Sequence, residues 1–350
     1  MRRIAPCGMA RIIGIGLIAA AMLPASGAVS DDSLVARLSR VLTAEEAHDG
    51  RASPYLLPVI EELAQAQLRD GGLAEARTLR RRALDIAVAA FGCDSPSAAE
   101  AMAALALVDI EDRRYLDAEP LLIIAEGLLA DRVSADHPAL VTILDGRAQI
   151  ALARGDTGAA ETLARSALAL ARRNPHLRTA EPLRTLGTVL TAEERFEEAE
   201  KLLDEALTQD RKQHGEGGLD TARSLAQLAR LELRRGEPAA ALPRIEQAIS
   251  IDQSGLGPNH PLIADDWHDL GHVYAALNRR VTARAALTAA INVLEHGAGR
   301  ETPRLGYAEI ELSTLYRQTG DEAAAEAAFH DARRILNKAE AEEHRRERQI

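Results

Sequence analysis

Two histidines and an aspartate are the residues of this sequence best spaced to do chemistry. His268 and His272 stand four residues apart, with Asp265 three residues ahead of the first. On a helix such residues share one face, and two histidines at i and i+4 can ligate one zinc ion. In His268-Asp269-Leu270-Gly271-His272 an aspartate sits where a metal-dependent hydrolase carries its glutamate base. The shorter carboxylate is a poor substitute, and the sequence shows no strong third ligand beyond Asp265. The expectation is therefore no catalysis, no cofactor and no resident metal. A metal-binding or metal-dependent factor built on Asp265, His268 and His272 is the alternative. There is no glycine-rich phosphate loop, no Gly-x-Ser-x-Gly elbow and no Cys–His pair at a workable spacing.

Leu270 and Gly271, between those histidines, have an explanation of their own. Seven candidate turn residues recur along the chain: Gly71, Arg113, Gly155, Glu194, Gly236, Asn278 and Gly320. Their spacing is 42 residues at every step but one, which is 39. Five residues after each turn stands an alanine (76, 118, 160, 199, 241, 283, 325), and seven further on stands another (83, 125, 167, 206, 248, 290, 332). Seven residues are about two helical turns, so each pair lies on one face, where a small side chain lets helices approach closely. Eight residues before each turn is a leucine, with Arg147 the one exception. The residue after it is always Ala, Gly or Ser. Three residues before it the side chain is large and apolar, from Ile60 to Trp267, except for Glu309 in the last unit. This is a helix with an inward stripe, a turn, and a second helix, seven times over.

Composition agrees. Aromatic residues make up only 3 %, and Ala and Leu, both strong helix formers, dominate. The expected fold class is all-α.

Trp267, Leu270, Gly271 and Tyr274 reproduce the W-x-x-L-G-x-x-Y opening of the tetratricopeptide repeat, and Ala283 and Leu287 continue it. The chain resembles that family over residues 52–337. The 42-residue period, with linkers such as Gly257-Pro258-Asn259-His260-Pro261 and Asp136-His137-Pro138, is similar to the kinesin-light-chain variety. The resemblance implies a right-handed α-solenoid of about seven repeats. Residues 29–51, helical in pattern but without the paired alanines, would cap its first repeat.

It also implies a concave groove lined by the first helix of each pair. Groove positions would include Glu61, Gln65 and Arg69, then Glu111, Asp145, Gln149, Arg184 and Thr188, and later Tyr307, Thr314 and Arg317. Arg184, Arg223, Arg230 and Arg234, with Asp265, His268 and His272, form the candidate partner-binding set. The four arginines would make a positive patch suited to an acidic segment or a chain-terminal carboxylate of a protein partner. The same arginines could instead be a solvated face paired with nearby acids.

The ends carry their own signals. Residues 1–28 read as a cleavable signal peptide: basic Arg2, Arg3 and Arg11, an apolar run from Ile12 to Leu23, then small residues. That run is too short to span a bilayer, so the expected location is exported, periplasmic or secreted, with no membrane span after cleavage. The chain carries −11, and residues 1–28 hold three arginines and no acid, which leaves about −14 after cleavage. A field of that sign disfavours nucleic acid. Cys93 would be the lone thiol, expected to be buried and inert. Residues 338–350 form a charged tail, read as a solvated helix end. Together these readings predict a non-catalytic protein–protein interaction scaffold of the cell envelope, with a self-associating structural subunit as a further alternative.

Overall fold

The computed structural model describes residues 33–134, 136–297 and 303–347. The signal-peptide reading and the first residues of the cap lie outside them. Among the described residues there is helix and turn but no strand. Helix α1 (Leu34–Asp49) is followed by a short 3-10 turn (Pro54–Leu56). Seven hairpins follow: α2 (Leu57–Arg69) with α3 (Leu73–Phe91), α4 (Pro96–Glu111) with α5 (Tyr115–Arg132), and α6 (Ala139–Ala153) with α7 (Thr157–Arg173). Next come α8 (Ala180–Ala192) with α9 (Phe196–His214), and α10 (Leu219–Arg234) with α11 (Pro238–Leu256). Last are α12 (Ile263–Ala276) with α13 (Arg280–Gly297), and α14 (Pro303–Thr319) with α15 (Glu322–Glu347). Each helix packs on the next, and the first helices α4, α6, α8, α10 and α12 also touch in series. No helix among the described residues is long and apolar enough to cross a membrane.

Each hairpin turns the same way for a local reason. All seven turn residues have positive φ: Gly71 83°, Arg113 58°, Gly155 80°, Glu194 61°, Gly236 85°, Asn278 58° and Gly320 79°. The residue after each donates its N–H five residues back, as in Gly72 to Gln67 O at 2.8 Å and Arg114 to Asp109 O at 2.7 Å. This is the Schellman closure, which satisfies carbonyls that a helix end would leave open. Arg113 and Glu194 accept a backbone region costly for residues with a Cβ, so closure prevails over local preference there.

The paired alanines are the seams between helices. All fourteen are buried, none more than 8 % exposed. Gly187 and Gly271 mark the tightest joints: a Cβ on either would come within 2.8 Å of the leucine of its own hairpin, Leu203 or Leu287. Arg147, the one exception to the leucine stripe, pairs with Glu126 of α5 in a part-buried contact. Cys93, expected to be buried, is exposed in the loop between α3 and α4. Its thiol sits where that loop leaves the packed seams, so no helix covers it.

The solenoid curves until it meets itself. His260, 4 % exposed, donates from Nε2 to the carbonyl of Leu68 at 2.9 Å, 192 residues away in sequence. Its Nδ1 accepts the N–H of Leu262 at 3.2 Å, which fixes the tautomer. The Gly71 backbone lies so close to Pro261 that a Cβ would stand 2.7 Å from its Cδ. The turn of the first hairpin thus rests on the linker ahead of the sixth.

Candidate functional site

Closing the curve turns the concave groove into a central chamber of about 810 Å³. It is walled by α2, α4, α6, α8, α10 and α12, with Tyr115 from α5 and Asp252 and Leu256 from α11. Six guanidiniums (Arg69, Arg113, Arg184, Arg223, Arg230, Arg304) face five carboxyls (Glu111, Glu181, Asp252, Asp265, Asp266).

The carboxyls do not ionise with equal ease. Burial pushes Asp266 well above the usual carboxylate range, and neighbouring Asp252 and Asp269 push the same way. Asp252 is also raised, first by burial, while a hydrogen bond with Asp266 partly relieves it. Burial likewise raises Glu111 against the pull of Arg223, Arg80 and Arg304. With six guanidiniums against five carboxyls, three of them shifted upward, the chamber leans positive inside an acidic protein.

Three of the four candidate arginines reach this wall, and each ends on an acid. Arg184 is nearly buried and donates to Asp210 at 2.6 Å. Arg230 donates from Nε to Asp269 at 2.5 Å. Arg223 makes only a 3.4 Å contact to Asp220 and keeps half its side chain exposed. Arg234 lies outside the chamber lining, 3.8 Å from Glu194. Of the other groove expectations, Gln65, Arg69, Glu111, Gln149 and Thr188 line the chamber, whereas Glu61, Asp145, Thr314 and Arg317 do not. Sequence reasoning missed Arg113 and Arg304. Arg113 is legible as an arginine at a position that turn geometry reserves for glycine or asparagine. Arg304 sits in the first turn of α14 with no such mark.

Asp265, grouped by sequence with the two histidines, belongs to a different constellation. Its carboxylate pairs with Arg304 at 2.6 Å and Arg113 at 3.4 Å, which ties α12 to α14 and to the turn of the second hairpin. Burial favours its neutral form, but Arg304, Arg113 and Arg230 outweigh burial and hold the carboxyl well below its usual range. So committed, Asp265 is not the partner of the histidines.

Their partner is Glu311, on the first helix of the next hairpin. Its Oε2 contacts His268 Nε2 and lies 3.0 Å from His272 Nε2. The two imidazole Nε2 atoms are 3.3 Å apart. The hydrogen bond to Glu311 raises the His272 pKa, against a smaller opposing effect of burial. Beside His268 and Glu311 is a small cavity of about 100 Å³, which Tyr307 also lines.

The His272–Glu311 contact is one rung of a ladder. Thr188 donates to Gln227 at 2.9 Å, Arg230 to Asp269 at 2.5 Å, and His272 meets Glu311 at 3.0 Å. Each pair spans 39 residues, and successive rungs are 42 residues apart. One pair of positions on neighbouring first helices thus bonds at three joints in a row.

Hairpins with glycine-type turns, alanine seams and a shared inner wall define an α-solenoid. Residues 178–254 match the family model of the tetratricopeptide repeat. That match spans the fourth and fifth hairpins, and the other hairpins share their left-handed turns and buried alanine seams. Among solved structures the chain is similar to the Cut9–Hcn1 hetero-tetramer of the APC/C, at 14 % identity and TM-score 0.59. That match covers 87 % of this chain and 51 % of the other, so this chain spans about half that relative's length. It is also similar to a Rap protein complexed with competence and sporulation factor, at 14 % identity and TM-score 0.53, over 83 % of this chain and 94 % of that one. BtubC (BKLC) from P. vanneervenii is 22 % identical over 69 % of this chain and 92 % of its own, with TM-score 0.47. No curated protein matches the chain.

Proposed function

We propose that this protein is a non-catalytic scaffold of the cell envelope that holds a short, carboxylate-bearing segment of a protein partner in its central chamber. The observation that carries the reading is the chamber itself: about 810 Å³, formed by the first helices of the repeats, with six guanidiniums and acids whose ionisation burial opposes. The volume is about that of two turns of a helix 10 Å across, which suits a short chain segment. Arg223 is the arm best placed to turn to a carboxylate, because its present contact is long and its side chain half exposed. The fold supports protein binding generally, and the Rap protein of similar extent was solved with a second molecule, its sporulation factor. Export rests on the basic, apolar and small pattern of residues 1–28.

A photo-crosslinking residue at Gln227, in the chamber wall, tests the reading in cells. The captured material should be acidic chain segments or chain ends, and Arg223→Glu should remove it. Capture that survives Arg223→Glu unchanged overturns the proposal. Arg230 is unsuitable for the same test, since reversing it would set two acids against each other at Asp269.

A further inference from the structure

We propose that His268, His272 and Glu311 bind one zinc ion at the joint between the sixth and seventh hairpins, with the fourth corner left to water. The three donors lie within 4.8 Å of one another. They come from two elements whose relative position the hairpin packing fixes: both histidines from α12 and the carboxylate from α14.

Two of the three donor spacings suit zinc, and Glu311 Oε2, which presses closer on His268 Nε2, would back away from it as the ion enters. Zinc holds imidazole nitrogens at about 2.0–2.1 Å in tetrahedral geometry, so two such nitrogens stand about 3.3 Å apart. His268 Nε2 and His272 Nε2 are 3.3 Å apart, and His272 Nε2 is 3.0 Å from Glu311 Oε2. Two imidazole nitrogens turned to each other and to one carboxylate oxygen are poor company without a cation, because at most one proton fits between any two of them. The other two rungs of the ladder close with a single donor and a single acceptor. Only the third adds a second nitrogen at the same point.

The surroundings suit a metal as well. Asp269 Oδ1 lies 3.7 Å from His268 Nδ1, on the ring edge away from Glu311, while its other oxygen is held by Arg230. A carboxylate behind a ligating histidine fixes the tautomer that leaves Nε2 free to ligate. The three ligands are between 26 % and 45 % exposed, so an ion can reach them. The 100 Å³ cavity beside His268 and Glu311 gives room for the fourth ligand.

The untagged full chain, stripped of metal with a chelator, is titrated with zinc chloride by calorimetry. One equivalent should bind at micromolar Kd or tighter. Glu311→Gln, isosteric and half exposed, and His272→Ala should each weaken binding by about 100-fold or more, beyond the 10–100-fold that a supporting residue is worth. Cobalt(II), used as a visible reporter, should give the intense d–d bands of a four-coordinate ion, and His268→Ala should abolish them. Zinc should raise the melting temperature of the parent chain and leave that of Glu311→Gln unchanged, with both chains equally helical without metal. No heat at micromolar zinc overturns the proposal. So does binding by Glu311→Gln and His272→Ala within about threefold of the parent, which would place the ion elsewhere.

Discussion

His260 donates a hydrogen bond to the carbonyl of Leu68 across 192 residues of chain, and this contact closes the concave wall into a chamber. Replacing His260 with phenylalanine keeps the ring volume and removes both bonds. Spin labels at positions 70 and 258 should then report a longer and broader distance, while helicity stays unchanged. An unaltered distance distribution would show that backbone approach alone holds the ring.

The same contact depends on pH. Burial lowers the His260 pKa, opposed by its bond to Leu68, because the charged ring loses water. A base depressed in the folded state contributes stability above its unfolded pKa of about 6.5 and loses it as pH falls through the folded value. Protonated Nδ1 also could no longer accept from Leu262. Hydrogen exchange at the Leu262 amide should therefore quicken below pH 6 more than at the matching turn amides, when each is corrected for intrinsic rate.

Gly71 and Gly155 form a matched pair. Both have positive φ, but a Cβ at Gly71 meets Pro261 at 2.7 Å whereas one at Gly155 meets nothing within 4 Å. Alanine at either position should cost about 1–2 kcal/mol for the left-handed backbone. Gly71→Ala should add a further loss from the forced separation of turn and linker. Equal melting temperatures for the two variants would refute the closeness of that joint.

Glu194 holds a left-handed turn at φ 61° with a full side chain. Glycine there removes about 1–2 kcal/mol of strain and adds about 0.5–1 kcal/mol of chain entropy to the unfolded state. Glu194→Gly should raise the urea midpoint slightly with no change in slope. Its effect on the weak 3.8 Å contact with Arg234 should be negligible, as exposed pairs contribute little.

Glu309 occupies a position that is apolar in the other repeats. Burial, and then the charges of Asp331 and Glu295, push its carboxyl up to about 7. An acid raised in the folded state favours folding at low pH, and that contribution is lost as pH rises through 7. Glu309→Gln should therefore raise the melting temperature at pH 8 and change it little at pH 4.5. A gain of equal size at both values would contradict the shift.

The repeat was readable because each of its signals answers a local demand: a left-handed turn at Gly71, a tight seam at Ala118, an inward stripe at Leu186. The closure was not readable. It sums small rotations over four to five hairpins, and no single residue records the total. His260 looked like a turn residue because its bond to Leu262 is one; its bond to Leu68 needs the whole curve. Helical spacing alone groups Asp265 with the histidines and ignores competing partners. Arg304 and Arg113 reach it from other elements, while Glu311 arrives from the next hairpin. Glu311 could have been found by stepping 39 residues from His272, had the Thr188–Gln227 and Arg230–Asp269 pairs been known.

An open array of hairpins behaves as a one-dimensional system, in which each unit answers only to its neighbours and melting begins at the ends. A fastener between the first unit and the sixth changes that topology. Fraying from the amino-terminal side must first undo a bond made by a distant part of the chain, so the four intervening units should melt as one block. The seventh, beyond the fastener, should come apart on its own.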